Sequence, residues 1–143
     1  MSYEYGQFSE SHLLKIRKGV EFYNVRKYWE CHEELEDHWL EDRGDNARYV
    51  YWVIIQAATA LFHYEDGNLA GATGMINKAK EKVKSCEAKK VETPLVYKFL
   101  SWKKFKSIIM DIPDKPTLES FEELHKFRFS NPQKWIDHIG VEK

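Results

Sequence analysis

Apolar side chains recur along most of this chain at intervals of three and four residues, the spacing of one face of an α-helix. Glycine and proline are scarce and mostly separate the periodic segments, and nothing resembles an array of strands and turns. The pattern predicts helices over residues 9–23, 25–42, 47–66, 69–86, 94–110, 117–126 and 131–139. We therefore predict one all-α domain over residues 1–143, a compact multi-helix bundle of about five main helices with short C-terminal helices.

Several helix ends carry residues that suit a cap. Asn24 is predicted to cap the second helix and Asn68 the fourth, and Pro94 is predicted to occupy the first turn of the fifth. Gly67 suits the left-handed position that follows the third helix. That third helix is apolar almost all round, which indicates a central, buried position. The short connections among the first four helices predict that neighbours run antiparallel.

The composition argues against several classes of function. With 22 basic and 23 acidic residues, the chain lacks the basic excess that nucleic-acid binding usually needs, so we expect no nucleic-acid partner. The longest apolar run is interrupted by polar residues and is too short to span a bilayer, so we expect no membrane role. The first ten residues lack the features of a signal peptide, and the two cysteines lack metal-finger spacing. A cytoplasmic protein in a reduced setting is therefore expected.

Polar side chains of the kind that bind ligands fall inside two otherwise apolar stripes. On the second helix the predicted inward stripe holds His32 and Glu36 one turn apart, with Glu33 at its edge. The members of this stripe are Val25, Tyr28, Trp29, His32, Leu35, Glu36 and Trp39. On the third helix, Gln56 and His63 share a face. Buried groups of this kind must be hydrogen-bonded, paired or coordinated.

The second and third helices are predicted to fold back on each other about the turn between them. In such a hairpin, residues whose numbers sum to about 89 lie level, which places Gln56 opposite His32. A buried His32–Glu36–Gln56 network follows from this placement. Because His63 lies about 10 Å further along its helix at 1.5 Å per residue, we expect it near the start of the fourth helix at Asn68.

The two helices together carry a combined motif that continues into the fourth helix. Its positions are His32, Glu33, Glu36, Trp39, Gln56, His63, Asn68, Gly71 and Ala72. This motif resembles the family called domain of unknown function 309 (DUF309), over about residues 20–83. The resemblance implies a small all-α bundle of bacterial or archaeal type with no established activity. The segment over about residues 112–143 lies outside the resemblance and is predicted to form a C-terminal appendage.

Three functions remain open for this pattern. The leading one is a module that binds a small molecule or a protein partner, with His32, Glu33, Glu36, Gln56 and His63 as ligand-binding residues. The second is a small hydrolase or lyase, with Glu36 as general base beside His32 as the candidate catalytic residues. The third is a structural protein or a homo-oligomer, in which an aromatic C-terminal segment covers a partner chain. That segment contains Phe121, Leu124, Phe127, Phe129 and Trp135.

No cofactor is predicted. A metalloprotease helix would need a second histidine where Glu36 stands, and the di-iron motif would need a glutamate where Leu35 stands. A divalent metal bound by His32 and carboxylates is kept as an alternative, although the spacing singles out no third ligand. The simplest alternative for His32 and Glu36 is a buried hydrogen-bonded pair that only fixes the packing of the helices.

Overall fold

A computed structural model of the protein describes residues 7–139. Within this range the chain forms nine α-helices and one 3₁₀ turn and no β-strand, so the predicted all-α fold is confirmed. In chain order the elements are α1 (Glu10–Lys15), α2 (Arg17–Asn24), α3 (Tyr28–Glu41), α4 (Arg48–Glu65), α5 (Leu69–Ala88), α6 (Pro94–Phe99), α7 (Trp102–Asp111), the 3₁₀ turn (Leu118–Phe121), α8 (Glu122–Lys126) and α9 (Pro132–Ile139). No helix between residues 7 and 139 is long and apolar enough to cross a membrane.

Helix α4 occupies the centre of the molecule. It packs against both α3 and α5, and every residue from Val53 to Leu61 is buried. In this stretch only Gln56 and Thr59 are polar, so the helix can be enclosed on all sides at little cost. The Thr59 hydroxyl donates to the Ile55 carbonyl at 2.9 Å, which satisfies its donor. The prediction that the third helix of the sequence is central is confirmed.

The corner between α4 and α5 has the predicted capping residues. Gly67 has φ +72°, a left-handed conformation that glycine adopts without strain. The Asn68 side chain accepts a hydrogen bond from the Gly71 N–H at 2.9 Å and so caps α5. At the start of α6, Pro94 occupies the first turn after Thr93, also as predicted. Each of these ends is therefore set by residues that lie close together in the sequence.

Two of the predicted helices are interrupted. The first breaks at Ile16 into α1 and α2, and the fifth breaks at residues 100–101 into α6 and α7. In one straight helix, Leu100 and Trp102 would point about 200° apart, yet both are fully buried in the same core. Ser101, with φ +46°, provides the bend that lets both side chains reach that core.

The structure contradicts the prediction that Asn24 caps the second helix of the sequence. Asn24 is the last residue of α2, and α3 begins at Tyr28 after a turn in which Arg26 has φ +65°. The Asn24 side chain accepts a hydrogen bond from the Phe129 N–H at 2.9 Å and donates one to the Phe129 carbonyl at 3.0 Å. It therefore fastens the C-terminal segment to α2.

The described part of the C-terminal segment belongs to the core. Its large apolar residues, which one functional alternative assigned to a partner chain, are buried within their own chain. These residues are Phe121, Leu124, Phe127, Phe129 and Trp135. The Trp135 indole N–H donates to the Ser130 hydroxyl at 2.8 Å, and that hydroxyl donates to the Phe99 carbonyl at 2.7 Å. Residues 112–139 thus close the bundle and do not extend from it as an appendage.

Candidate functional site

The inward face of α3 differs from the predicted stripe. Its buried residues are Tyr28, Cys31 and Leu35, which follow the spacing of one helix face. Tyr28 and Leu35 belong to the predicted stripe, but Cys31 takes the inward position that was predicted for its neighbour His32. The true inward face is therefore rotated from the predicted one by less than the step of about 100° between successive residues. Glu36 is consequently exposed to solvent and His32 is only half-buried. The predicted burial of this pair is wrong.

The rotation brings three polar side chains together on the surface of α3. The side chain of His32 is 20% exposed and that of Glu33 is 58% exposed, and Glu36 is also exposed. Each residue offers one ligand atom, and these atoms all lie within 4.8 Å of one another. His32 Nδ1 and Glu33 Oε2 are 3.6 Å apart. We call His32, Glu33 and Glu36 the α3 cluster.

Two partly exposed aromatic rings lie beside the α3 cluster. Trp29 stacks on the His32 imidazole, with ring centroids 4.8 Å apart and planes 18° apart. Phe62 of α4 contacts Trp29 at 5.4 Å between centroids. Trp29 is 46% exposed and Phe62 is 40% exposed. We call Trp29 and Phe62 the aromatic shelf; its stacking contact fixes the plane of the imidazole.

The register of the α3–α4 hairpin is close to the predicted one. Trp39 contacts Trp52 at 4.8 Å, and Trp29 contacts Phe62 at 5.4 Å between ring centroids. In both pairs the residue numbers sum to 91, which differs from the predicted value by two residues. The hairpin geometry therefore follows from the sequence, even though the orientation of α3 within it does not.

Gln56 takes no part in the predicted network. It is only 6% exposed, and by the observed register it lies level with Leu35 on the inner side of the hairpin. Its Oε1 has no hydrogen-bond partner among residues 7–139. Glu36 faces solvent, so a buried cluster that joins His32, Glu36 and Gln56 does not form.

His63 lies at the corner between α4 and α5, where the sequence predicts it. Its Nδ1 is 3.2 Å from the Asn68 side-chain nitrogen. Gly71 allows this contact, because a Cβ at that position would lie 2.7 Å from the His63 ring. The His63 ring is 5.8 Å from Phe62 between centroids. His63 is therefore beside the aromatic shelf but outside the α3 cluster.

A second polar cluster, which the sequence did not indicate, joins α1 to the turn before α4. His12 and Asp45 are both buried, with His12 Nε2 2.8 Å from Asp45 Oδ2. His12 Nδ1 accepts the Ser9 backbone N–H at 2.9 Å, so Nε2 carries the proton that Asp45 accepts. The Ser9 hydroxyl is also 2.9 Å from Nδ1, in the order of a Ser-His-Asp triad. Because the Ser9 N–H already occupies the Nδ1 lone pair, this arrangement is a helix-capping box and not an activated nucleophile.

Asp42 links α1 and α4 in the same region. It accepts hydrogen bonds from the Tyr51 hydroxyl at 2.6 Å and from the Lys15 ammonium at 2.7 Å. Burial raises the pKa of Asp42, but the bonds from Lys15 and Tyr51 outweigh that effect and the pKa falls below its ordinary value. The carboxylate is therefore engaged in structural bonds between α1 and α4.

Neither cysteine has the surroundings of a nucleophile. Cys31 and Cys86 are both buried, and burial raises the pKa of each thiol well above its ordinary value. A raised pKa keeps the thiol protonated and unreactive at neutral pH.

The fold and the α3 cluster define a small all-α protein built around a helical hairpin, with a His-Glu-Glu group on the surface of that hairpin. The family model described as "Domain of unknown function (DUF309)" matches residues 16–75. The resemblance found in the sequence is therefore confirmed, and residues 16–75 are similar to this family. This region extends from the junction of α1 and α2 into α5 and contains the whole α3 cluster and the aromatic shelf.

A curated relative matches part of the chain. The "Uncharacterized protein YpuF" of Bacillus subtilis (strain 168) is 52% identical over 54 residues. The match spans 37% of this chain and 30% of YpuF, so it covers less than a third of that relative's length. No solved structure matches the chain at a significant level. The comparisons thus show a similarity to one family over part of the chain and bring no activity with it.

Proposed function

We propose that this protein is a binding module whose ligand site is the α3 cluster with the aromatic shelf beside it. The observation that carries the proposal is the meeting of three ligand-type side chains within 4.8 Å on a surface. Two carboxylates held this close repel each other, and a cationic or hydrogen-bond-donating ligand relieves that repulsion. The ligand we expect is therefore positively charged or rich in donors.

The aromatic shelf supports the same site. Trp29 and Phe62 are large apolar rings that leave 46% and 40% of their surface in water. Single exposed apolar residues need no explanation, but two in contact beside a polar cluster are typical of a binding surface. A ligand that covers this area gains by excluding water from it.

The other two functions considered in the sequence analysis, a hydrolase or lyase and an oligomer, each depended on a feature that the described residues do not have. An acid–base mechanism relied on a buried Glu36, and this side chain is exposed. An oligomer relied on a C-terminal aromatic segment free to cover a partner, and that segment is buried in its own core. Gln56 and His63 lie outside the α3 cluster, so we restrict the site to the cluster and the shelf.

A thermal-shift screen of ions and small metabolites tests the proposal. We expect at least one compound to stabilise the wild type and not the His32→Ala/Glu36→Gln double variant. A ligand at about 100 times its Kd stabilises by about 2.7 kcal/mol, which raises Tm by several degrees. The control is Glu41→Gln, which removes one charge from an exposed position at the end of the same helix and should keep the response. If no compound separates the wild type from the double variant, the site assignment is wrong.

A further inference from the structure

We propose that the ligand of the α3 cluster is a divalent transition-metal ion of the zinc type. The ion would be held by a ring nitrogen of His32 and by one carboxylate oxygen each from Glu33 and Glu36. This inference rests on the proposed function and names the chemical class of its ligand. Within residues 7–139, no other group of three histidine, cysteine, aspartate or glutamate side chains gathers its ligand atoms as closely.

The geometry of the cluster is close to that of a metal site. Zinc binds nitrogen and oxygen at about 2.0–2.2 Å, so the ligand atoms of a tetrahedral site lie about 3.4 Å apart. The separation of 3.6 Å between His32 Nδ1 and Glu33 Oε2 already approaches that value. The remaining separations are at most 4.8 Å. Because Glu33 and Glu36 are exposed, rotation of their side chains can close this gap without a change in the helix.

An unpartnered atom points independently to a ligand. His32 Nδ1 is shielded from water and has no hydrogen-bond partner among the described residues. A buried polar atom without a partner costs about 1–3 kcal/mol, so such atoms call for an ion or a water that completes them. A metal bound at Nδ1 would satisfy this atom, and the stacked Trp29 ring would hold the imidazole in place for it.

The surrounding charges favour a cation. The groove beside the cluster is lined by acidic side chains with one ammonium group. Its lining residues are Lys18, Phe22, Glu30, Glu33, Glu34 and Asp37. The carboxylates therefore outnumber the cationic groups, and their summed potential attracts a positive ion.

The donor set indicates which cations fit. Calcium and magnesium prefer oxygen ligands alone, whereas an imidazole with carboxylates suits zinc, nickel or cobalt. Three protein ligands leave at least one coordination position for water, as in open zinc sites. The exposed Trp29 ring lies next to the cluster, so its fluorescence should report whether the ion has bound.

Isothermal titration of chelator-treated full-length protein with zinc chloride tests this inference. We expect one ion per chain, with a change in tryptophan fluorescence that is lost in Trp29→Phe. His32→Ala, Glu33→Gln and Glu36→Gln should each weaken zinc binding by at least roughly 10- to 100-fold, since removal of a group that only supports a metal ligand already causes a loss of that size. Magnesium chloride at the same concentration should give no signal.

Two variants serve as matched controls. Glu41→Gln removes an exposed carboxylate at the end of α3, outside the cluster and the acidic groove, and His38→Ala removes a histidine that lies against Glu34 and Glu41 on the same helix. Both should bind zinc within about twofold of the wild type, and circular dichroism of every variant checks that the helices are intact.

Equal losses in controls and cluster variants, or the absence of one-to-one binding at micromolar zinc, would overturn the metal assignment. If an organic compound in the thermal-shift screen still separates wild type from double variant, only the metal class is wrong; if none does, the site itself is wrong.

Discussion

At the scale of single residues, the histidines differ most in what surrounds them. His12 is buried, and both ring nitrogens are used, one by the Ser9 N–H and the other by Asp45. His32 is half-buried, and its Nδ1 has no hydrogen-bond partner. A fully satisfied buried imidazole contributes to stability, whereas an unsatisfied one at a surface is available to a ligand. The two residues therefore have different consequences when they are replaced.

We predict that His12→Ala destabilises the protein by about 1–3 kcal/mol, since it leaves the buried Asp45 carboxylate and the Ser9 N–H without their partner. Urea denaturation monitored by circular dichroism measures this loss. The matched control is His38→Ala, which removes only partly exposed ion pairs on α3 and should cost less than about 1 kcal/mol. Equal losses in the two variants would contradict a structural role for the His12 pair.

At the scale of helices, the closest approach involves α2 and α3. A Cβ built on Gly19 would lie 2.4 Å from the Leu35 side chain, which is fully buried. Such a distance requires Leu35 to move, and the packed core gives it nowhere to go. The absence of a side chain at Gly19 thus lets α2 press on Leu35 and fixes which face of α3 turns inward.

Replacement of glycine by alanine at two helical positions should have opposite effects. Gly19→Ala should destabilise the protein by about 1–3 kcal/mol through overpacking against Leu35. Gly74→Ala, in α5, meets nothing within 4 Å and should stabilise by about 0.5–1 kcal/mol through helix propensity alone. Thermal and urea unfolding of the two variants measure the difference. A stabilising effect at both positions would mean that α2 and α3 are further apart than the structure indicates.

The same contact explains which parts of the helices could be predicted from the sequence. The caps at Gly67, Asn68 and Pro94 depend on neighbours in the chain, so the sequence predicts them correctly. The inward face of α3 depends on its packing against α2, and the periodicity of this helix allows two faces that share Tyr28 and Leu35. Cys31 lies on the face that is buried, while the face with His32 contains more aromatic residues. The sequence therefore singled out the residues of the α3 cluster, but it did not predict that their side chains are exposed.

At the scale of the whole molecule, segments that are far apart in the sequence meet in one core. The side chain of Asn24 is hydrogen-bonded to the backbone of Phe129, which lies 105 residues later in the sequence. The Phe8 N–H donates to the Val91 carbonyl at 3.1 Å. No local pattern encodes contacts of this kind, because the partners share no segment of sequence. The Ser-x-x-His spacing at Ser9 could have indicated a cap, yet Asp45 becomes its partner only through the fold.

The buried acidic groups predict how stability depends on pH. Burial raises the pKa of Cys31 and Cys86 in the folded protein above the ordinary thiol value of 9.0. As the pH rises through 9, the unfolded chain releases these protons while the folded chain keeps them, so the free energy of unfolding decreases. The slope should reach about 1.4 kcal/mol per pH unit for each thiol. The buried Tyr23, with an ordinary pKa of 10.0, adds to the loss at higher pH.

Urea denaturation between pH 7 and 10.5 measures this dependence. The Cys31→Ala/Cys86→Ala variant should lose most of the decrease between pH 9 and 10 and keep the part that sets in above pH 10. Its stability at pH 7 serves as its own reference, because the substitutions also remove buried volume. An unchanged slope in the variant would show that the thiols do not cause the alkaline loss.

The bond between Asn24 and Phe129 also has a consequence for synthesis of the protein. A ribosome adds about 5–20 residues per second, so α2 must wait several seconds for its partner to be translated. During that interval the apolar side chains that Phe129 and Trp135 later cover stay open to water and to other nascent chains. A cell that makes this protein at a high rate should therefore need chaperones most while the last thirty residues are still to be made.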